Sequence, residues 1–183
     1  MIFKVIKHSH QLYNILLSLS RNIFFYKTIN LQDTYQTRIY LMFFHFSILM
    51  IIFKHKGKKF DQNQYDQLFN SIENNLRELG YGDVTVNKKM KELNKILYDI
   101  LLKIKPNFKK TKIVSFNQRI FSKYFEEFKD KENPKYKEIE TYFSNFYIFC
   151  SKLSLDNILK EVINFKNKIW LYLKEKHLFQ KRK

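Results

Sequence analysis

Between Ile39 and Phe53 the chain runs for 15 residues with only His45 and Ser47 as polar interruptions. A helix that is apolar all round must be covered all round. The run is shorter than the roughly 20 residues a membrane-spanning helix needs, so it is predicted to be the central buried helix. His45, in its middle, reads as a hydrogen-bonded core histidine rather than a ligand.

The other segments carry helical periodicity and so are suited to surround that core. Leu12, Ile15, Leu16 and Leu19 recur at helical spacing in Met1–Leu19, which is read as a first helix packed on the core rather than a membrane anchor. After the basic loop Lys54–Lys59, Asp61 is placed to cap a helix carrying Tyr65, Leu68, Phe69, Ile72, Leu76 and Leu79. Gly80 follows as its stop and Gly82-Asp83 as a second turn element. Asp83 or Thr85 is then expected to cap a helix through Met90, Leu93, Ile96, Leu97, Ile100 and Leu101. Beyond Pro106, the spacing of Phe116, Ile120, Phe121, Tyr124, Phe125 and Phe128 predicts another helix. Asn133-Pro134 breaks the chain before a stripe from Ile139 to Leu153, and Ser154 is a candidate cap for a last helix. The expectation is an all-α, single-domain helical bundle of about six to seven helices over residues 1–165, followed by a basic tail, 166–183.

Only 3 glycines and 2 prolines occur, too few for the many turns of an all-β or disordered chain. Two of those glycines, Gly80 and Gly82, share one corner, which implies a backbone shape there that a side chain would obstruct. The single cysteine, Cys150, lies among Tyr147, Ile148 and Phe149 and reads as a buried, inert thiol in a reducing compartment. The formal charge of +17 favours anionic partners such as RNA, a ribosome surface or acidic lipid, without selecting among them. Of the 34 basic residues only five are arginine, namely Arg21, Arg38, Arg77, Arg119 and Arg182. Where lysine is so freely used, a retained arginine marks a place that suits a planar, bidentate guanidinium.

An enzyme would show an activated nucleophile, a metal-ligand spacing or a phosphate-cradling loop. The sequence has no HExxH or CxxC, and Gly80-Tyr81-Gly82 lacks both the third glycine and the preceding strand of a dinucleotide fold. Asp83 is explained more simply by capping than by catalysis. No catalytic residue, cofactor or metal is expected.

Several blocks, in this order, resemble the ubiquinol-cytochrome c chaperone family. They are Leu12-Tyr13, Ser20-Arg21 and Phe25-Tyr26; Asp33-Thr34 with Arg38 and His45; Leu68-Phe69, Glu73 and Leu76-Arg77-Glu78; the turn Gly80-Tyr81-Gly82-Asp83-Val84; Lys88, Met90 and Lys91; and, more weakly, Asn117–Phe121. Together they span about residues 10–125. Tyr81 stands where the family usually has an aliphatic residue, and the helix after Val84 is richer in lysine. The resemblance implies a non-enzymatic helical chaperone that attends newly made cytochrome b during assembly of the cytochrome bc1 complex. The family's mitochondrial members act at the ribosome and the inner membrane.

On this reading the helix ending at Leu79, the glycine corner and the following basic helix form a client-holding face. Arg77 pairs with a carboxylate, either internally with Glu73 or Asp83 or on the partner. Two other classes stand beside it: an RNA- or ribosome-binding module carried by the lysines, and a peripheral membrane protein whose end helices bind anionic lipid. The expected location is the bacterial cytoplasm, peripheral at the inner membrane, or the matrix side of the mitochondrial inner membrane in a eukaryote.

Overall fold

The apolar run becomes the middle of α2, Tyr35–His55, which begins at Thr34, whose hydroxyl accepts from the Thr37 N–H at 3.1 Å. The computed structural model describes residues 11–107, 113–116, 119–129 and 133–165. The start of the first predicted helix, part of the Asn117–Phe121 block and the whole basic tail lie outside the described residues. From Ile39 through Leu49 every residue of α2 is buried. At 21 residues α2 is longer than the apolar run and is long and apolar enough to cross a membrane. It is instead a core helix, packed against α1 (Gln11–Ser20), α4 (Asp83–Lys103) and α6 (Lys135–Ser151).

With α3 (Gln62–Glu78), α5 (Arg119–Tyr124) and α7 (Ile158–Glu161), seven α-helices are present among the described residues, as the expected all-α bundle requires. Phe44 on α2 is the hub of an aromatic cluster. Its ring lies 5.0 Å from Phe121, 5.2 Å from Phe143, 5.9 Å from Phe125 and 6.5 Å from Phe116, centre to centre. Cys150 is fully buried in the same core, and burial pushes its thiol far above the usual range.

His45 is buried and fully partnered. Its Nδ1 lies 2.6 Å from the Leu41 carbonyl, which only accepts, so Nδ1 carries the proton and Nε2 accepts from the Tyr142 hydroxyl at 3.0 Å. Burial lowers its pKa from 6.5 to about 3, so the ring stays neutral.

Two expectations are corrected. The stretch after Pro106 is not one helix: Ile104–Asn107 (β1) and Ile113–Phe116 (β2) form an antiparallel hairpin with Ile104 opposite Phe116, and only the short α5 and a 3-10 turn, Glu126–Phe128, follow. Proline lacks the N–H a helix requires and biases the residue before it toward extended backbone, while Ile113 and Val114 are β-branched. Ser154 does not cap α7, which starts after Asn157 without a side-chain cap. Between α1 and α2 the chain makes a π-helical turn, Phe24–Thr28, closed by the Ile29 N–H on the Phe24 carbonyl at 3.0 Å. That turn places Phe24 and Phe25 against Tyr142, with ring centres 5.1 and 4.6 Å away.

Candidate functional site

The corner between α3 and α4 is built by backbone chemistry. At the end of α3 the Tyr81 N–H bonds to the Leu76 carbonyl at 3.2 Å and the Gly80 N–H to the Arg77 carbonyl at 2.9 Å, with Gly80 at φ +87°. This pair of bonds is the Schellman stop, and its left-handed residue favours glycine. Gly57 (φ +73°) ends α2 by the same device, with the Lys58 N–H on Phe53 and its own N–H on Lys54. Gly80→Ala is expected to cost about 1 kcal/mol, read as a lowered urea midpoint at unchanged slope. A midpoint equal to wild type would mean that the corner relaxes to a different turn.

Gly82 is different. Its φ of −70° suits any residue, and a Cβ on either Gly80 or Gly82 would meet no atom within 4 Å. The expectation that the backbone here has a shape a side chain would obstruct therefore holds at Gly80, through its left-handed φ, and not at Gly82. Space above Gly82 is open outward. Gly82 itself is the N-cap of α4 and provides no side-chain cap. Asp83 is not the cap that was expected, nor is Thr85; Asp83 occupies the first helical position, where a carboxylate suits the helix dipole.

Arg77 spans the corner. One end of its guanidinium donates to Glu73 Oε1 at 2.8 Å, one turn back on α3, and the other donates to Asp83 Oδ1 across the turn. A lysine presents a single point charge and has no fork to hold two carboxylates lying in different directions. Of the pairings open to Arg77, the folded chain makes the internal ones, so this guanidinium clamps the entry angle of α4 into α3. Hydrogen bonds to Glu73 and then Asp83 raise its pKa further.

A second polar cluster involves the chain segments between α1 and α2. Arg38 makes a bidentate pair with Asp33, at 2.7 and 2.8 Å, which holds that carboxyl below the ordinary range with help from the Arg21 charge. The Tyr26 hydroxyl donates to the Ser20 carbonyl at 2.7 Å, and its pKa is pushed up to about 12 by burial and then by the Asp33 charge. The two clusters adjoin. Tyr13 on α1 is raised by burial, feels both Arg21 and Glu78, and meets the Asn75 side chain of α3. Tyr35, at the start of α2, feels both Tyr13 and Tyr81, and its buried hydroxyl has no hydrogen-bond partner among the described residues.

Arg21, Tyr26 and Arg38 thus group together. Glu73, Arg77, Gly80, Gly82 and Asp83 group beside them, Glu78 lies between the groups, and Lys88 and Lys91 continue outward along α4. His45 stands apart in the core. The side chain of Arg119 lies outside the described residues.

Periodicity misassigned one residue of the corner and missed its apolar surface. Leu79 was grouped with the buried stripe of α3, yet it is the C-cap and 58% exposed. Tyr81 and Val84 beside it are 41% and 86% exposed, and Lys89 Nζ sits 4.7 Å from the centre of the Tyr81 ring. The signal in the sequence was their position: two apolar side chains flank a Schellman glycine past the last turn of α3, and a third stands at the second position of α4, before its first buried residue, Val86. Among the described residues no three His, Cys, Asp or Glu side chains are grouped to hold a metal ion.

Fold and site define a helical-bundle protein with one small hairpin and a corner, bridged by Arg77, that displays apolar side chains beside basic ones. The ubiquinol-cytochrome C chaperone family model matches residues 27–112, which contain Arg38, His45, the whole corner, Lys88 and Lys91. That similarity points to a chaperone role toward a client protein. No curated protein and no solved structure gave a match.

Proposed function

We propose that the protein assists assembly of the cytochrome bc1 complex by holding newly made cytochrome b at the α3–α4 corner. The observation that carries this reading is the exposure of Leu79, Tyr81 and Val84 on a corner whose backbone is locked by the Gly80 stop and the Arg77 clamp, inside the family-matched segment. Exposed apolar side chains gathered at one rigid point mark an interaction surface. A membrane-protein client has apolar segments to offer such a point before it is assembled. The net charge of +17 supports work close to a ribosome or to the anionic inner-membrane surface, on the cytoplasmic side in a bacterium or the matrix side in a eukaryote.

The double variant Leu79→Ser/Val84→Ser tests it. Both side chains are exposed, so stability is expected to stay within about 0.5 kcal/mol of wild type. Co-purification of cytochrome b is expected to fall roughly ten-fold, as for loss of an interface hot spot. Normal cytochrome b recovery and bc1 content in cells carrying the variant would remove the corner from client binding.

A further inference from the structure

The outward face of α4 carries a seam of its own. Val84, Lys88, Lys91, Lys95, Tyr98 and Leu102 follow one another at spacings of 4, 3, 4, 3 and 4 residues, and all six are exposed. The buried residues Val86, Leu97 and Ile100 of α4 follow the same rhythm two residues later, close to the opposite side of the helix. At about 1.5 Å per residue the exposed seam is about 27 Å long. Both ends are apolar: Val84 is 86% exposed, Tyr98 51% and Leu102 77%. Its centre is three lysines, none in an ion pair with another described residue. Two carboxylates flank the seam: Asp99 is turned to Lys103, Lys123 and Tyr124, and Glu92, exposed between Lys91 and Lys95, makes no ion pair with the three lysines, so their excess of positive charge remains.

A straight, heptad-spaced line fits one secondary structure above others, since an α-helix laid along it presents side chains at the same spacing. We infer that the outer face of α4 docks an amphipathic α-helix from another protein, with apolar residues toward its two ends and carboxylates at its centre. Charge points away from self-occupancy. Residues 1–10 hold Lys4 and Lys7 and no acid, and residues 166–183 hold one acid, Glu175, against seven basic residues. A second copy pairing through the same face would set lysines against lysines. The inference extends the proposed client face along α4 and rests on that reading only for Val84, which the corner and the seam share.

The test uses the full chain and a synthetic peptide of about five turns, with leucines at the seam-matching positions of both ends and glutamates at the three central ones. Fluorescence anisotropy is expected to show binding that weakens as salt rises. The triple variant Lys88→Glu/Lys91→Glu/Lys95→Glu is expected to bind roughly ten-fold or more weakly and to accept the peptide with central lysines instead. A Lys→Gln triple variant, free of new repulsion within the helix, is expected to fall between the two, and circular dichroism checks that each variant is folded. Equal binding by wild type and variants, or no binding of the glutamate peptide, overturns the inference. So does binding of phosphatidylglycerol vesicles or single-stranded RNA, lost in the variants, without binding of the peptide. If the peptide fails while Leu79→Ser/Val84→Ser still abolishes cytochrome b recovery, the seam is wrong and the corner reading stands.

Discussion

Phe44→Ala is expected to lower the unfolding free energy by about 3 to 5 kcal/mol, the largest effect of any change considered. The side chain is fully buried, and its ring touches those of Phe116, Phe121, Tyr124, Phe125 and Phe143, so one deletion leaves a gap where α2, α5, α6 and β2 meet. In a domain whose whole stability is about 5 to 15 kcal/mol, the melting temperature should drop by roughly 10 °C. Phe44→Leu keeps most of the volume and should cost less than half as much. Urea titration followed by circular dichroism checks both. A loss under about 1 kcal/mol for the alanine variant would mean that neighbouring rings collapse into the space.

The second large effect is on pH. The unfolded chain takes a proton on His45 near pH 6.5, whereas in the folded protein burial delays this to about pH 3. Between those values the unfolded state binds more protons, so stability is at its full value above about pH 6.5 and falls as the pH drops through that window. The slope for one such group is about 1.4 kcal/mol per pH unit. From pH 6.5 down to about 4.5, before carboxylates add their own effect, the loss should reach on the order of 2 to 3 kcal/mol. His45→Gln keeps a polar group near the Tyr142 hydroxyl and does not titrate. It should be less stable at neutral pH and nearly flat across the same window. A wild-type stability that stays flat from pH 6.5 to about 4.5 would show that His45 titrates with an ordinary pKa in the folded state.

How much of this was legible in the chain depends on the range of the interaction involved. Periodicity within a single helix found α3, α4 and α6, because one turn of helix reports its own buried side, and the unbroken apolar run found α2. The Gly80 stop and the Asp61 cap, whose carboxylate accepts from the Asn63 N–H at 3.2 Å, were legible for the same reason: both are contacts within a few residues. The hairpin β1–β2 was not. Phe116 falls at helical spacing from Ile120, and what settles its conformation is packing against Phe44 and Phe143, which lie far away in sequence.

At the candidate site, the residue types and the corner were readable, and the pairing of Arg77 was narrowed to Glu73, Asp83 or a partner. Which of these it makes needed the folded turn, because the direction in which α4 leaves decides whether Asp83 comes within reach. The exposure of Leu79, Tyr81 and Val84 was likewise invisible in a pattern that counts apolar residues without knowing what covers them. An all-α fold around one apolar helix, with a glycine corner in an ordered set of chaperone-like blocks, can be read from neighbouring residues alone. That Arg77 closes the corner internally, and that the apolar and lysine seam of α4 faces outward, emerges from the packed helices. Local hydrogen bonds and periodicity are written into neighbouring residues, whereas exposure and long-range pairing exist only once the helices have packed.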